Sequence, residues 1–203
     1  MVNREPPAQR STQASLKKLL AGDLQLRIEL LHIEPRVWRR VIVPETVTLA
    51  KLHHVLQAVM GWTDSHLHAY VIARKRYGTP DPDWPSTEPV LDERRVQLKP
   101  FIEARVQRFT YLYDFSDHWE HEITVEDLLA PKSSGRRIVC TAGENACPPE
   151  DGGGEPGYAN FLQAIADPRH QQHEELQGWI GYPFKPHAFD LNAVNQRLAR
   201  IKP

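Results

Sequence analysis

Residues 108–125 carry the alternation that most narrows the folds open to this chain. From Arg108 to Phe115 every second residue is aromatic, with Phe109, Tyr111, Tyr113 and Phe115 on one face. Ser116 and Asp117 follow as turn formers. Trp119, His121, Ile123 and Val125 then alternate with Glu120, Glu122 and Thr124. Period-two patterning sends successive side chains to opposite faces of a strand. Two such runs about a short polar break read as an antiparallel hairpin.

The flanking segments extend this pattern. Leu24 to Ile33 alternates, with Leu24, Leu26, Ile28 and Leu30 facing one way, and Pro35 breaks it. Val37 to Val43 is a second strand, either the return arm of a hairpin or the continuation of one bent strand. Thr48 is placed to cap a helix over Leu49–Met60, whose Leu49, Leu52, Leu56, Val59 and Met60 recur at helical spacing; Gly61 ends it. His66 to Arg74 alternates as a further strand, and a proline-rich loop runs from Gly78 to Pro89. Arg137 to Thr141 is a short strand, followed by a glycine- and proline-rich loop from Gly143 to Gly157. The pattern then turns helical. Tyr158, Phe161, Leu162 and Ile165 form one stripe, Pro168 opens a second short helix through Leu176, and Asp190 caps a last one with Leu191, Val194, Leu198 and Ile201. At the other end, residues 1–12 are polar and expected to be disordered, and Ser15 to Ala21 reads as a short helix stopped at Gly22.

The expectation is therefore a flexible arm with a short helix over residues 1–22 and a single α+β domain over 23–203. Its sheet is mainly antiparallel, with an amphipathic helix after the second strand and a helical segment at the C-terminal end. Strands that come first and helices that come last favour α+β over a wound parallel sheet.

Composition excludes several functional classes. The 203 residues carry 25 Lys+Arg against 26 Asp+Glu, a formal net charge of -1. A protein that grips many phosphates usually shows a basic excess, so nucleic acid is not supported as a partner; an unknown protein or small molecule is the expectation. Arg36, Arg39 and Arg40 with Arg74, Lys75 and Arg76 form a local basic set, read here as a solvated face. No apolar run approaches the roughly 18 residues of a membrane helix, and the first residues lack the apolar core of a secretory signal, so the chain is expected to be cytoplasmic and away from membranes. Cys140 and Cys147 rule out a disulfide scaffold, and they stand further apart than a structural zinc pair.

Three segments hold residue types that carry chemistry. Tyr113 to His121 contains Asp114, Asp117, His118 and His121 beside a turn; imidazoles and carboxylates together bind divalent metals or move protons. The plainer alternative is that Asp114 and Asp117 make turn hydrogen bonds and His121 is a satisfied core histidine. His66 and His68, two apart on an expected strand, point to one face, and with His121 they form a candidate metal set. Cys147-Pro148-Pro149-Glu150-Asp151, followed by three glycines, is a stiffened loop. It either presents Glu150 and Asp151 to a cation or basic partner, or uses them to cap backbone amides, including those opening the helix at Tyr158. His53 and His54 are assigned no role, and Trp62 and Trp179 read as core anchors. There is no phosphate loop, dinucleotide fingerprint or nucleophile elbow.

These motifs stand in a recognisable order: Trp38 to Val43, Leu52-His53 to Gly61-Trp62, His66-Leu67-His68, Tyr113-Asp114-Phe115 with Asp117 and Trp119-Glu120-His121, Cys147 to Asp151 with Gly153, then Trp179 and Phe189-Asp190-Leu191 to Asn195. Over Leu24–Ile201 the series resembles the Ri-plasmid open-reading-frame-three-like family, also met as passenger proteins of transposable elements and similar to small α+β structural-genomics targets. Ser116 departs from the glycine common at that point of the family's turn. The resemblance implies a fold and no particular reaction. The resolvase label borne by some transposon members finds no support, because no serine stands among arginines as a serine recombinase needs. Two expectations follow. The one the sequence favours is a non-enzymatic binding or accessory module of plasmid or mobile-element biology, using the aromatic hairpin and the Pro-Pro-Glu-Asp loop. The other is a metal-dependent hydrolase or nuclease-like enzyme, with a divalent metal held by ligands from His66, His68, Asp114, Asp117, His121, Glu150 and Asp151.

Overall fold

The computed structural model describes residues 22–80, 89–130 and 138–201. The arm, the helix expected over 15–21 and the centre of the proline loop lie outside the described residues.

The alternating segments do become strands. β1 (Asp23–Leu30) and β2 (Val37–Pro44) pair antiparallel with Leu30 opposite Val37, which settles the open choice in favour of a hairpin. α1 (Leu49–Met60) starts where Thr48 Oγ1 accepts from the Lys51 amide at 3.2 Å and stops at Gly61, whose φ of 92° is the left-handed conformation glycine adopts without a Cβ penalty. β3 (His68–Ile72) is shorter than the expected strand. Ala73 and Arg74 both have positive φ, 49° and 63°, and turn the chain into β4 (Lys75–Gly78). Two left-handed residues suit a tight hairpin turn, but Asn and Gly usually announce it, so this one carried no signal. The short β5 (Val90–Asp92) and α2 (Lys99–Glu103) were also not anticipated.

β6 (Arg108–Tyr113) and β7 (Trp119–Leu129) form the aromatic hairpin, with Tyr113 opposite Trp119. Phe109, Tyr111 and Tyr113 are buried, but Phe115 is 45% exposed. Its place on the aromatic face is corrected: Asp114, at φ 56°, swings the chain outward, and Phe115 rests under the Arg76 guanidinium instead. β8 (Val139–Glu144) runs further than expected and pairs with β2. The full order is β5-β4-β3-β6-β7-β1-β2-β8, antiparallel except between β4 and β5.

α1 lies across the inner face of the sheet. Tyr70 donates to the Leu49 carbonyl, and Arg39 donates to that of Val59. Arg39 is thus buried and removed from the basic surface set; Arg36 and Arg40 pair with Glu29 and Glu126. α3 (Gly154–Ala166) begins four residues before the expected Tyr158, α4 (His173–Ile180) lies later than the helix expected from Pro168, and α5 (Leu191–Leu198) is capped by Asp190 Oδ1 on the Ala193 amide. Trp179 is 44% exposed and makes an edge contact with core Phe161 from the surface, so it is not itself the buried core residue expected. No helix among the described residues is long and apolar enough to cross a membrane.

Candidate functional site

Strand order brings the polar motifs together. β3 and β6 are neighbours, and His68 stands opposite Tyr113. The residues just before β3 therefore meet the turn just after β6, where the Asp114 amide donates to the Leu67 carbonyl. Two more loops reach the same end of the sheet: residues 61–67 from α1 and residues 145–153 leading into α3.

Tyr113 is the common wall. Trp62 stacks on it at 4.9 Å between centroids, and His53 and His66 approach it at 6.5 and 5.8 Å. Its hydroxyl donates to Glu150 Oε1 and accepts from the Ser65 amide. Burial first, and then the Glu150 carboxylate, push its pKa well above that of an ordinary tyrosine, so the hydroxyl keeps its proton. Glu150 Oε2 accepts from both the amide and the hydroxyl of Thr63.

His66, Asp114 and Asp151 form the first cluster, each offering one ligand atom within 4.8 Å of the others. His66 Nδ1 lies 3.6 Å from Asp114 Oδ2, and Nε2 lies 3.0 Å from Asp151 Oδ1 at an angle that makes no hydrogen bond. Asp114 is buried, and its Oδ1 takes the amides of Ser116 and Asp117, as a turn acid does. Asp151 is the open side, its side chain 70% exposed. Asp117 turns away to accept from the Gly153 amide at 3.0 Å. It, not Glu150 or Asp151, steadies the start of α3.

The histidine set His66, His68 and His121 does not share one point. His68 Nε2 pairs with Glu93 Oε1 at 2.9 Å, and its ring stacks on His53 at 3.6 Å. His121 is fully buried, and its Nδ1 donates to the Tyr111 and Trp119 carbonyls. Desolvation lowers its pKa to about 4. The same cause, followed by the neighbouring His68, lowers His53 to about 4, against the pull of Asp64. Both rings are neutral at pH 7. Cys147 offers no thiolate, because burial pushes its pKa up to about 12.

Sequence reasoning passed over Asp64, Glu93, Thr63 and the role of His53. Glu93 is buried with Oε2 unpartnered among the described residues, yet nothing near it in the chain marks it. Asp64 did carry a signal: it lies in the polar run Thr63-Asp64-Ser65 directly before His66.

The model of the plasmid pRiA4b ORF-3-like protein family matches residues 23–193. The chain belongs to that family. One relative, the uncharacterized protein y4hQ of Sinorhizobium fredii (strain NBRC 101917 / NGR234), is 42% identical over 165 residues, covering 80% of this chain and 83% of its own length. Among solved structures, the crystal structure of MM3350, a protein of unknown function from Methanosarcina mazei Go1, matches with a TM-score of 0.77 at 32% identity, covering 85% of this chain and 97% of that one. This chain and MM3350 thus share the α+β fold, and both similar proteins are described without an assigned activity.

Proposed function

We propose that this protein holds a divalent cation with His66, Asp114 and Asp151 and uses it for hydrolysis, with phosphate esters as the substrate class. The observation that carries the reading is the convergence of these three ligand atoms, drawn from three separate loops, within 4.8 Å of one another. One imidazole and two carboxylates suit manganese, iron(II) or zinc, and three protein ligands leave positions for water. Held by His66, Asp114 and Asp151, such an ion would supply a water ionised near neutral pH as the nucleophile for breaking an ester P–O bond.

A second reading is the partner-binding accessory module. It is favoured by Leu67, 61% exposed, and Phe115, both beside the cluster.

The test is the metal content of untagged protein, followed by turnover of p-nitrophenyl phosphate, its diester and single-stranded DNA. Wild type carries a manganese- or zinc-class ion at this cluster, and Asp151→Asn loses the ion held there together with turnover. A metal-free wild type that turns over none of these would leave the accessory module as the reading. His121 is not the variant to use, since its ring is sealed in the core.

A further inference from the structure

Asp64 lies two residues before His66 on the same loop and faces a different pair of ligands. His53 and His54 stand near the middle of α1 with their ring centroids 5.2 Å apart. His53 Nε2 lies 2.6 Å from Asp64 Oδ1, and His54 Nδ1 lies 3.7 Å from Asp64 Oδ2. One ligand atom from each of the three falls within 4.8 Å of the others. Two imidazoles and one carboxylate make a softer donor set than that of the first cluster, and later first-row ions favour it.

The surroundings of this trio are built as metal sites are built. A metal-bound histidine commonly engages its second ring nitrogen in a hydrogen bond that fixes the ring and its tautomer. Here His53 Nδ1 lies 2.8 Å from the Tyr111 hydroxyl. Gln57, itself buried, donates its Nε2 to that same hydroxyl and accepts the Asp64 amide on its Oε1 at 3.0 Å. One glutamine therefore positions the buried ligand and the acid together. His54 and Asp64 are open to solvent on the other side, their side chains 58% and 43% exposed, which gives an ion a way in.

We infer that His53, His54 and Asp64 form a second cation site, selective for zinc-class ions and separate from His66, Asp114 and Asp151. The ion takes the place of the proton shared between His53 Nε2 and Asp64. The ring then carries its one proton on Nδ1 and donates it to the Tyr111 oxygen. The site goes beyond the hydrolytic reading and survives its failure.

The experiment is calorimetric titration of zinc into metal-free, untagged full-length chain. Two variants change exposed ligands only, His54→Ala for this site and Asp151→Asn for the first. Two equivalents in wild type and one in each variant is the expected result. One equivalent that vanishes in His54→Ala and persists in Asp151→Asn would keep this site and remove the first. One equivalent with the opposite pattern would overturn this inference and keep the first, and no zinc at all would overturn both. Tyr111→Phe separates a built site from chelation by His54 and Asp64 at the surface. Loss of the outer hydroxyl weakens a built site about 10- to 100-fold, whereas unchanged affinity would remove His53 from the ligand set.

Discussion

Glu150 answers three donors at once: the Thr63 amide at 2.9 Å, the Thr63 hydroxyl and the Tyr113 hydroxyl. It clasps the loop that carries Asp64 and His66 to the loop that carries Asp151. A carboxylate accepting three hydrogen bonds is poorly replaced by an amide, which must turn its NH2 toward at least one donor. Glu150→Gln should therefore cost about 1–3 kcal/mol in urea unfolding, the usual penalty for an unmatched, partly buried polar group. It should also weaken metal binding with every ligand still present. Unchanged unfolding and unchanged binding would mean the two loops are held apart from Glu150. The sequence marked Glu150, Asp151, Asp114 and His66 because each sits in a dense polar or proline-stiffened run. It gave Glu93 and His53 no such setting. Their partners, His68 and Asp64, are 25 and 11 residues away in the chain. A pair of that kind exists only once the sheet has formed.

The start of α3 decides how well the first cluster is held. Gly154 has a φ of 66°, and a Cβ there would stand 2.5 Å from the Asp117 carbonyl oxygen. That close approach keeps α3 against the 114–118 turn, while Asp117 Oδ2 holds the Gly153 amide. Gly154→Ala would need a left-handed alanine and a displaced turn, together costing about 1–3 kcal/mol. Displacement of Asp114 and Asp151 should lower metal affinity with it. Gly178→Ala, where a Cβ meets nothing within 4 Å, is the control and should leave binding unchanged. A cap tests differently, because it touches no ligand. Thr48→Ala removes the acceptor for the Lys51 amide and should cost about 1 kcal/mol in thermal or urea unfolding without changing metal content. Elements with full periodicity and a marked end were legible: β1, β2, α1, α5 and the β6–β7 hairpin. The turn between β3 and β4 was hidden because Ala73 and Arg74 adopt left-handed geometry without the residues that favour it. α4 was placed too early because Pro168 looks like a helix start, whereas Asp167 Oδ1 holds the Arg169 amide in a turn.

The sheet as a whole determines what the site can be, since its ligands come from chain positions as distant as His53 and Asp151. Strand order could not be read from the sequence: the β1–β2 hairpin and the β3–β4 hairpin could have joined the β6–β7 pair on either edge. The same burial that assembles the molecule sets its response to pH. His121 sits on the core face of β7, fully enclosed, and desolvation lowers its pKa from 6.5 to about 4. In the unfolded chain the ring takes a proton near pH 6.5; in the folded protein it resists until about pH 4. The unfolded state thus binds the extra proton across that window. The stability His121 contributes by staying neutral is intact above pH 6.5 and is lost as pH falls toward 4. At the lower end the loss approaches about 3 kcal/mol for this one group. The acids held low by arginines, Asp92 by Arg94 and Glu126 by Arg40, work in the same direction. Their contribution is lost only as pH falls below the usual carboxylate range, Asp92 reaching about 2, so it falls largely outside the histidine window. Subtraction isolates His121. Unfolding free energies of wild type and His121→Leu, measured by urea at intervals from pH 7.5 to 4, should converge as pH falls, because the variant has no ring to charge. Curves that stay parallel across the window would mean the ring is already protonated, or reachable by water, in the folded protein.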